Sequence, residues 1–523
     1  MSRVIGIDLG TTNSCVAVVD NGQPVVIPNA GGYKTTPSMF AISQDGKRLV
    51  GHLAKRQAIT NSSGTVFAAK RLIGRRFDSA EVQKSIDLCP YEIVRGANDD
   101  PRMKIGGKAF TCPEISGIIL REMKRVAEEY LGEPVQEAVI TVPAHFNDTQ
   151  RQCTKDAGKI AGLEVLRIIN EPTAAAMAYG LGCREDETIV VYDLGGGTFD
   201  VSILELSKDV IEVLATSGHT FLGGEDLDRR VVSHLVEWFQ QDSGIDLRSD
   251  TMALQRLKDA AEKAKCDLSL RDSTEINLPF IASDAEAPKH LNYTLTRETL
   301  EGLVDDIIQA TLKSVQQCME DADLKPEDID QVILVGGQTR MPRVQKLVSD
   351  FFGQRPHRGV NPDEVVALGS AIQGSNLVDE SQGHLLLDVT PLSLGIGTYG
   401  GHFARLIERN TTVPVNKSHV FTTTRDDQSA VKIRVLQGES GTALENDLLG
   451  EFTLQGIRPA PKGEPEIDVT FDIDPNGIVS ASARDLATGQ EQSITVKTTG
   501  TLSEEEITQI VEDHDLYEVR LKA

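Results

Sequence analysis

The segment at residues 189–201 contains the residue types that phosphate chemistry needs. An apolar run that predicts a buried strand ends at Asp193, and three glycines and Thr198 follow before a second strand. Glycines let a backbone approach a ligand closely, with N–H groups free to point at phosphate oxygens. The Asp193 carboxylate would repel phosphate unless a cation lies between them, and such oxygen ligands favour Mg²⁺. The segment predicts a phosphate-binding turn, with a glycine-rich hairpin bearing surface acids as the plainer alternative.

The same pattern occurs near the start of the sequence, at residues 4–16. An apolar strand ends in Asp8 and Gly10, the hydroxyl residues Thr11 and Thr12 follow, and a return strand begins. Two such hairpins in one chain predict two similar subdomains that face each other across a nucleotide. A third strand-to-glycine junction, at residues 332–340, is expected on the base and ribose side.

Three further segments place charged side chains beside predicted helices. Residues 67–76 predict a short helix carrying Lys70, for which a solvated surface position is the simpler expectation. Glu171 lies at the mouth of an alanine-rich helix that begins with Pro172, where an acid often serves only the helix dipole. A helix predicted at 254–270 carries Glu262, Lys265 and Ser269 within two turns.

The composition restricts the classes of function. The chain has 523 residues, of which 40% are hydrophobic and 25% charged, values typical of a globular protein with about three or four domain-sized units. A net charge of −25 makes nucleic acid or an acidic membrane a poor partner. Seven scattered cysteines without a C-x-x-C pair indicate reduced thiols. Because a strand begins at Val4 and no 18-residue apolar run exists, no signal peptide or membrane span is expected, and a cytoplasmic protein is predicted.

The last part of the chain changes character. Residues 389–499 alternate apolar and polar side chains between Gly and Pro turns, and Asn476-Gly477 marks a tight hairpin, so an antiparallel β domain is predicted. Ser503 and Glu506 form a capping box that opens a final helix. Three leucines at 385–387 precede Asp388. This segment is either a buried strand of the β domain or a switch that docks on the preceding domain in one state.

Motifs collinear over nearly the whole chain resemble those of the seventy-kilodalton heat-shock chaperone family, DnaK type. They are I-G-I-D-L-G-T-T-N-S from Ile5, A-A-K-R-L-I-G-R from Ala68, V-I-T-V-P-A from Val139, I-N-E-P-T-A-A-A from Ile169, D-L-G-G-G-T-F-D from Asp193, V-G-G-Q-T-R-M-P from Val335, L-L-L-D-V-T-P-L-S from Leu385 and V-L-Q-G-E from Val435.

The resemblance implies an α/β fold with a two-lobed actin-like ATPase domain, an antiparallel β-sandwich and a short C-terminal helix. The expected boundaries are 1–380 for the ATPase domain, 381–390 for the linker, 391–500 for a peptide-binding sandwich and 501–523 for a shortened helical lid. It implies an ATP-dependent chaperone that uses ATP or ADP with Mg²⁺ and binds extended hydrophobic polypeptide segments.

The resemblance also implies roles for individual residues. Asp8 and Asp193 would hold Mg²⁺, largely through water, and Lys70, Glu171, Asp193 and Thr198 would surround the attacking water. The nucleotide would contact Gly10, Thr11, Thr12, Asn13, Gly195, Gly196, Gly197, Thr198, Gly224, Glu225, Glu262, Lys265, Ser269, Gly336, Gly337, Arg340 and Asp363. Cys266 stands where many relatives place a longer side chain against adenine, which puts that stacking contact in doubt.

Communication between the domains is expected to depend on Pro143, Arg151, Leu385, Leu386, Leu387 and Asp388. Arg167, Asn170, Thr173 and Asp388 match positions where J-domain co-chaperones engage, and a GrpE-like nucleotide exchange factor is a further expected partner. The peptide channel is expected near Leu394, Ile396, Tyr399, Phe421, Thr424, Val431 and Ile433. Tyr399 and Thr424 would arch over the pocket lined by Val431, and both depart from the bacterial pair, so peptide preference does not transfer.

The largest departure is the lid, for which only residues 503–523 are present. Fast peptide release is therefore expected even with ADP bound. Three alternatives remain at this point: a specialised chaperone for iron–sulphur cluster assembly, a small-molecule kinase on the actin-like scaffold, and an actin-like filament protein. The leucine segment and the added β domain argue against the kinase.

Overall fold

A computed structural model describes residues 3–180, 186–208, 210–283, 287–379, 385–495 and 502–522. The first lobe comprises residues 3–180. Its strands are β1 (Ile5–Asp8), β2 (Asn13–Asp20), β3 (Gln23–Val26), β4 (Thr36–Pro37), β5 (Phe40–Ile42), β6 (Arg48–Val50), β7 (Thr65–Val66), β8 (Glu92–Arg95), β9 (Pro101–Ile105), β10 (Lys108–Thr111), β11 (Glu137–Val142) and β12 (Glu164–Asn170). Its helices are α1 (His52–Gln57), α2 (Ala80–Leu88), α3 (Cys112–Leu131), α4 (Asp148–Ile160) and α5 (Glu171–Gly180).

Residues 186–379 form the second lobe and a final helix that returns to the first lobe. The strands of the second lobe are β13 (Glu187–Leu194), β14 (Phe199–Leu206), β15 (Val210–His219), β16 (Ser273–Ser283), β17 (Pro288–Thr296) and β18 (Gln331–Val335). Its helices are α6 (Gly224–Ser243), α7 (Thr251–Leu268), α8 (Arg297–Asp321) and α9 (Pro342–Phe352). The last helix of this stretch, α10 (Val365–Val378), packs against β1, β2 and β11 of the first lobe's sheet.

The two lobes repeat one sheet topology. In the first lobe the order is β12-β11-β1-β2-β3, with β1 antiparallel to β2 and parallel to β11. In the second lobe β13 is antiparallel to β14 and parallel to β18, and the order continues to β15. The prediction of two similar subdomains is therefore confirmed. Helices α5 and α10 pack against each other and help form a third apolar cluster that joins the lobes.

The rest of the chain forms a β-sandwich and a helix. Its elements are β19 (Leu385–Val389), β20 (Leu394–Gly397), β21 (Phe403–Ile407), β22 (Thr412–Val413), β23 (Val415–Phe421), β24 (Ala430–Gln437), β25 (Asp447–Gln455), β26 (Ile467–Ile473), β27 (Val479–Asp485), β28 (Glu491–Thr495) and α11 (Glu504–Lys522). Two antiparallel sheets, β21-β20-β24-β25 and β23-β26-β27-β28, enclose one apolar core, which confirms the predicted β domain.

Strand β19 belongs to the second lobe's sheet rather than to the sandwich sheets. It pairs in parallel with β15, where Leu385, Leu386 and Leu387 lie opposite residues 210–212, and its far edge pairs with β22. One sheet of order β18-β13-β14-β15-β19-β22 thus runs from the second lobe into the chain beyond it. Of the two readings of the leucine segment, the docked strand is the one observed. Residues 380–384, where the predicted linker begins, lie outside the described residues.

The helix predicted at 67–76 is wrong in extent, because only Ala69–Arg71 forms a short 3₁₀ turn. Ala68 has a left-handed conformation with φ of 55° and Gly74 has φ of 67°, so neither flanking residue continues a right-handed helix. The helix predicted at 254–270 is confirmed as α7, which begins at Thr251 and ends at Leu268. The capping box is also present, since Ser503 N–H donates to Glu506 and Glu506 N–H donates to Ser503 Oγ.

Candidate functional site

A cavity of about 560 Å³ lies between the lobes, at the ends of β1 and β13. Both phosphate turns line it, and most of the predicted nucleotide, metal and catalytic residues meet there. These are Asp8, Gly10, Thr11, Thr12, Asn13, Lys70, Glu171, Asp193, Gly195, Gly196, Thr198, Gly224, Glu225, Glu262, Lys265, Gly336, Gly337, Arg340 and Asp363. Two predicted residues do not line the cavity: Gly197 lies under Thr11, and Ser269 caps the end of α7. Their assigned contacts with nucleotide stay predictions.

The two turns need glycine because they approach other atoms closely. A Cβ atom on Gly10 would lie 2.0 Å from the Asn13 carbonyl oxygen, and one on Gly196 would lie 2.0 Å from Thr12 Oγ1 in the opposite turn. The turns of the two lobes therefore face each other in contact. Thr12 Oγ1 is buried and has no hydrogen-bond partner among the described residues, which leaves a polar group for a ligand to satisfy.

Carboxylates converge on the floor of the cavity. Burial, then the nearby Glu171 carboxylate, raises the pKa of Asp8 to about 7, and the same two causes raise the pKa of Asp193 well above its usual range. Ionised together, these groups would repel one another without a neighbouring cation. A divalent cation with oxygen ligands fits this donor set, so the residues present are suited to Mg²⁺.

Lys70 lies among these acids rather than at the surface. Its Nζ atom donates to Glu171 Oε1 at 2.6 Å, both side chains are buried, and the ammonium lies 5.6 Å from the Phe146 ring centroid. The simpler expectation of a solvated lysine is therefore wrong. Glu171 is the first residue of α5 and also has a charged partner, so its position is more than that of a helix-dipole acid.

Helix α7 and the junction after β18 form the other side of the cavity. Lys265 Nζ donates to the Gly224 carbonyl at 3.0 Å and lies 2.9 Å from Asp228 Oδ1. Arg340 Nε donates to Asp363 Oδ2 at 3.1 Å. Cys266 is exposed and lines the same cavity, so the departure noted in the sequence falls at the site itself.

Contacts across the mouth of the cavity were missed by sequence reasoning. Lys55 Nζ on α1 lies 3.1 Å from both carboxylate oxygens of Glu262 on α7. Lys258 Nζ lies 3.3 Å from the Phe67 ring centroid. Both pairs join the two lobes, and their members lie about 200 residues apart in the chain. No local spacing in the sequence identifies such partners.

Around the docked strand β19, most of the predicted coupling residues form one network. Asp388 accepts hydrogen bonds from Asn170 Nδ2 at 2.8 Å and Thr173 Oγ1 at 3.2 Å. Arg151 Nη2 donates to Asn170 Oδ1 at 2.7 Å and to the Ala144 carbonyl, beside Pro143, at 3.0 Å. Burial is the main cause that raises the pKa of Asp388 and lowers the pKa of Arg151. Asn170, Thr173 and Asp388 are buried here, whereas Arg167 is half-buried.

The sandwich and α11 also contact the two lobes directly. Asp148 Oδ1 accepts from Val479 N–H at 2.6 Å, and Asn476 Oδ1 accepts from Ile168 N–H at 2.9 Å. Asp321 of the second lobe accepts from Arg409 at 2.6 Å and from Asn410 at 2.9 Å. Helix α11 packs Ile507 against Ile160 of α4. The structure thus has both the strand and the sandwich docked on the nucleotide lobes.

The predicted peptide-contact residues divide by exposure. Leu394, Ile396 and Ile433 are buried in the sandwich core, and Phe421 and Val431 pack partly buried against it. Tyr399 is 83% exposed and Thr424 is exposed. Their contact with peptide stays a prediction. In this docked arrangement the three most buried residues serve as packing.

The two lobes carry similar phosphate turns that face each other, and one sheet joins the second lobe to the chain of the β-sandwich. This arrangement defines an actin-like nucleotide-binding protein with a docked second domain. The family model described as Hsp70 protein matches residues 4–522, and the chain belongs to this family. Hsp70 proteins are ATP-dependent chaperones, with ATPase activity, that bind ATP or ADP with Mg²⁺, polypeptide clients and co-chaperones. Within the described ranges, no helix combines the length and apolar character needed to cross a membrane.

Proposed function

We propose that this chain couples hydrolysis of ATP between its lobes to the grip of its β-sandwich on extended hydrophobic polypeptide. The observation that supports this most directly is the position of β19. The second phosphate turn joins β13 to β14, and successive strand pairs connect β14 through β15 and β19 to β22. A change at the phosphate turn therefore has a continuous hydrogen-bonded path to β22, whose Val413 packs in the sandwich core.

The proposed chemistry uses the groups at the cavity floor. Bound Mg²⁺ would offset the negative charge of the phosphates and of Asp8 and Asp193. Lys70 would present positive charge to the terminal phosphate, and Glu171 or Asp193 would orient the attacking water. The burial of Lys70 and Glu171 supports this assignment, because a buried ion pair facing a cavity keeps its geometry without solvent. Adenosine would contact Glu262, Lys265, Gly337 and Arg340.

Lys70→Ala is expected to abolish ATP hydrolysis while ATP still binds, because it removes the cation but leaves both turns. Single-turnover hydrolysis and equilibrium binding of ATP, measured on the same preparation, separate the two effects. Lys104→Ala is the matched control, since Lys104 is an exposed lysine of the same lobe paired with Glu92 at 3.1 Å. Near-normal single-turnover rates in Lys70→Ala would remove Lys70 from the proposed chemistry.

The coupling is tested on the full chain with an unfolded hydrophobic peptide and a J-domain protein. Peptide affinity is expected to be lower with ATP than with ADP, and peptide with J-domain protein should raise ATP turnover. Equal peptide affinity in the two nucleotide states would refute the proposal. Turnover stimulated by a sugar, and not by peptide, would favour the kinase alternative.

A further inference from the structure

Arg71 directly follows Lys70 but points away from the cavity. Both residues belong to the 3₁₀ turn Ala69–Arg71, from which the Lys70 side chain reaches Glu171. Arg71 does not line the cavity, and it is only 4% exposed. Its guanidinium lies 4.5 Å from the ring centroid of the buried Phe221. A buried arginine without contact to the ligand space requires another explanation than nucleotide binding.

Among the described residues, the hydrogen-bond and ion-pair partners of the Arg71 side chain belong to the second lobe. Its Nε–H donates to the Gly197 carbonyl of the phosphate turn at 3.2 Å, and Nη2 donates to the Asp226 carboxylate. Glu225 adds a carboxylate 3.9 Å from Nη1. The arginine charge is therefore neutralised by local acids, and its two donor sites are committed to two different elements.

Those two elements are themselves joined. Asp226 Oδ2 accepts from Gly223 N–H at 3.0 Å at the start of α6, while Gly224 and Glu225 N–H donate to the carbonyls of Gly195 and Gly196 at 2.9 Å each. The phosphate turn is thus fixed to the first turn of α6. Arg71 holds this unit from the other lobe.

We infer that Arg71 is a positioning residue for ATP hydrolysis, which fixes the second phosphate turn at a set distance from Lys70. Because Lys70 and Arg71 are consecutive in one short turn, a contact that holds Arg71 on Gly197 and Asp226 also sets where the ammonium stands relative to Thr198. The left-handed backbone of Ala68 starts this turn, as is common where geometry serves function. The inference rests on the proposed function, because it requires hydrolysis in this cavity.

The test compares Arg71→Met and Arg71→Lys in the full chain by single-turnover ATP hydrolysis, equilibrium ATP binding and thermal unfolding. Arg71→Met should lower the single-turnover rate constant about 10- to 100-fold, the loss expected for displacement of about 1 Å, with ATP affinity within about threefold of wild type. Arg71→Lys should lose about tenfold, because an ammonium cannot serve both acceptors with the fork geometry of a guanidinium. Arg76→Met is the control, since Arg76 is exposed and pairs with Asp99.

Asp226→Asn provides a second readout that a general folding defect would not produce. If Arg71 acts through Asp226, the rate loss in Arg71→Met/Asp226→Asn should be smaller than the product of the two single losses. Wild-type rates in a folded Arg71→Met, or in Arg71→Lys if the methionine variant does not fold, would overturn the inference. The inference would also be overturned if ATP affinity fell by the same factor as the rate constant measured at low ATP. Arg71 would then stabilise bound ATP and the transition state equally. Absence of hydrolysis in the wild type would instead refute the proposed function and the inference with it.

Discussion

Two adjacent leucines of β19 offer a matched test of strand docking. Leu386 is 9% exposed and packs in the apolar cluster that also contains Ile211 and Val213, whereas Leu385 is 58% exposed. Their backbones make the same ladder with β15, at Val210 and Ile211. Alanine at either position therefore changes the side chain and leaves the strand pairing intact.

The expected effects differ because only one side chain leaves water on docking. Truncation of a buried leucine costs about 2–3 kcal/mol when part of the cavity relaxes, so Leu386→Ala should shift the docking equilibrium about 30- to 150-fold toward release. Leu385→Ala should shift it by about twofold, because most of that side chain stays solvated in both states.

Hydrogen exchange of the β19 amides with ATP and Mg²⁺ present measures the equilibrium directly. Protection in the strand should fall in Leu386→Ala by the docking factor and should change little in Leu385→Ala. Peptide stimulation of the ATPase should weaken in the first variant while basal turnover is retained. Equal effects of the two variants, or wild-type protection in Leu386→Ala, would refute the reasoning.

Three further predictions concern an ion pair at the cavity mouth, an acceptor that docks the sandwich, and a buried histidine. Lys55→Ala should speed ADP release by about two- to fivefold, because a half-exposed ion pair across the cavity mouth contributes about 0.5–1 kcal/mol. Lys47→Ala, at an exposed lysine paired with Asp45, is the control. Equal rates of ADP release from Lys55→Ala and wild type would contradict this prediction. Asp321→Ala should weaken sandwich docking by about 1–3 kcal/mol, because it removes the acceptor for Arg409 and Asn410. Hydrogen exchange of the β22 amides measures the docking. Glu320→Ala, at an exposed neighbouring residue, should leave that exchange unchanged. Burial, then His219, lowers the pKa of His145 from 6.5 to about 4, so its contribution to stability is complete above pH 6.5 and is lost as pH falls toward 4. At pH 5.5 the loss is about 1.4 kcal/mol, and His145→Gln should remove about 2 °C of the acid-induced fall in melting temperature. An unchanged acid response in His145→Gln would contradict this.

Features written in short stretches of sequence were predicted well. The paired turns, the helix at 254–270, the capping box of α11 and the antiparallel sandwich all follow from local spacing, and all are observed. The strand after the second turn was harder to interpret. Asp200 and Ser202 alternate with apolar residues, which suggests a polar face, yet both are buried, because β14 has a strand on each edge and packs against α5 and α8.

Features that depend on distant partners were not predictable in this way. The buried position of Lys70 depends on Glu171, about a hundred residues later, and the contacts of Arg71 come from Gly197 and Asp226, later still. The Lys55–Glu262 pair requires both lobes to be in place. Residue type alone indicates a surface position for Lys70, Arg71 and Lys55, and only the packing of the lobes determines where each side chain lies.

Strand β19 pairs with β15 along one edge and with β22 along the other, so its release from the sheet changes β15 as well as the sandwich. The backbone groups of β15 that now pair with residues 385–387 would lose their partners, and β15 would become the open margin of its sheet. An open edge can pair with an extended segment, and the leucine strand of a second copy has the sequence that pairs with β15 in this structure. Exchange of β19 strands between two copies of the chain is therefore expected when the strand is released, and it should increase with protein concentration.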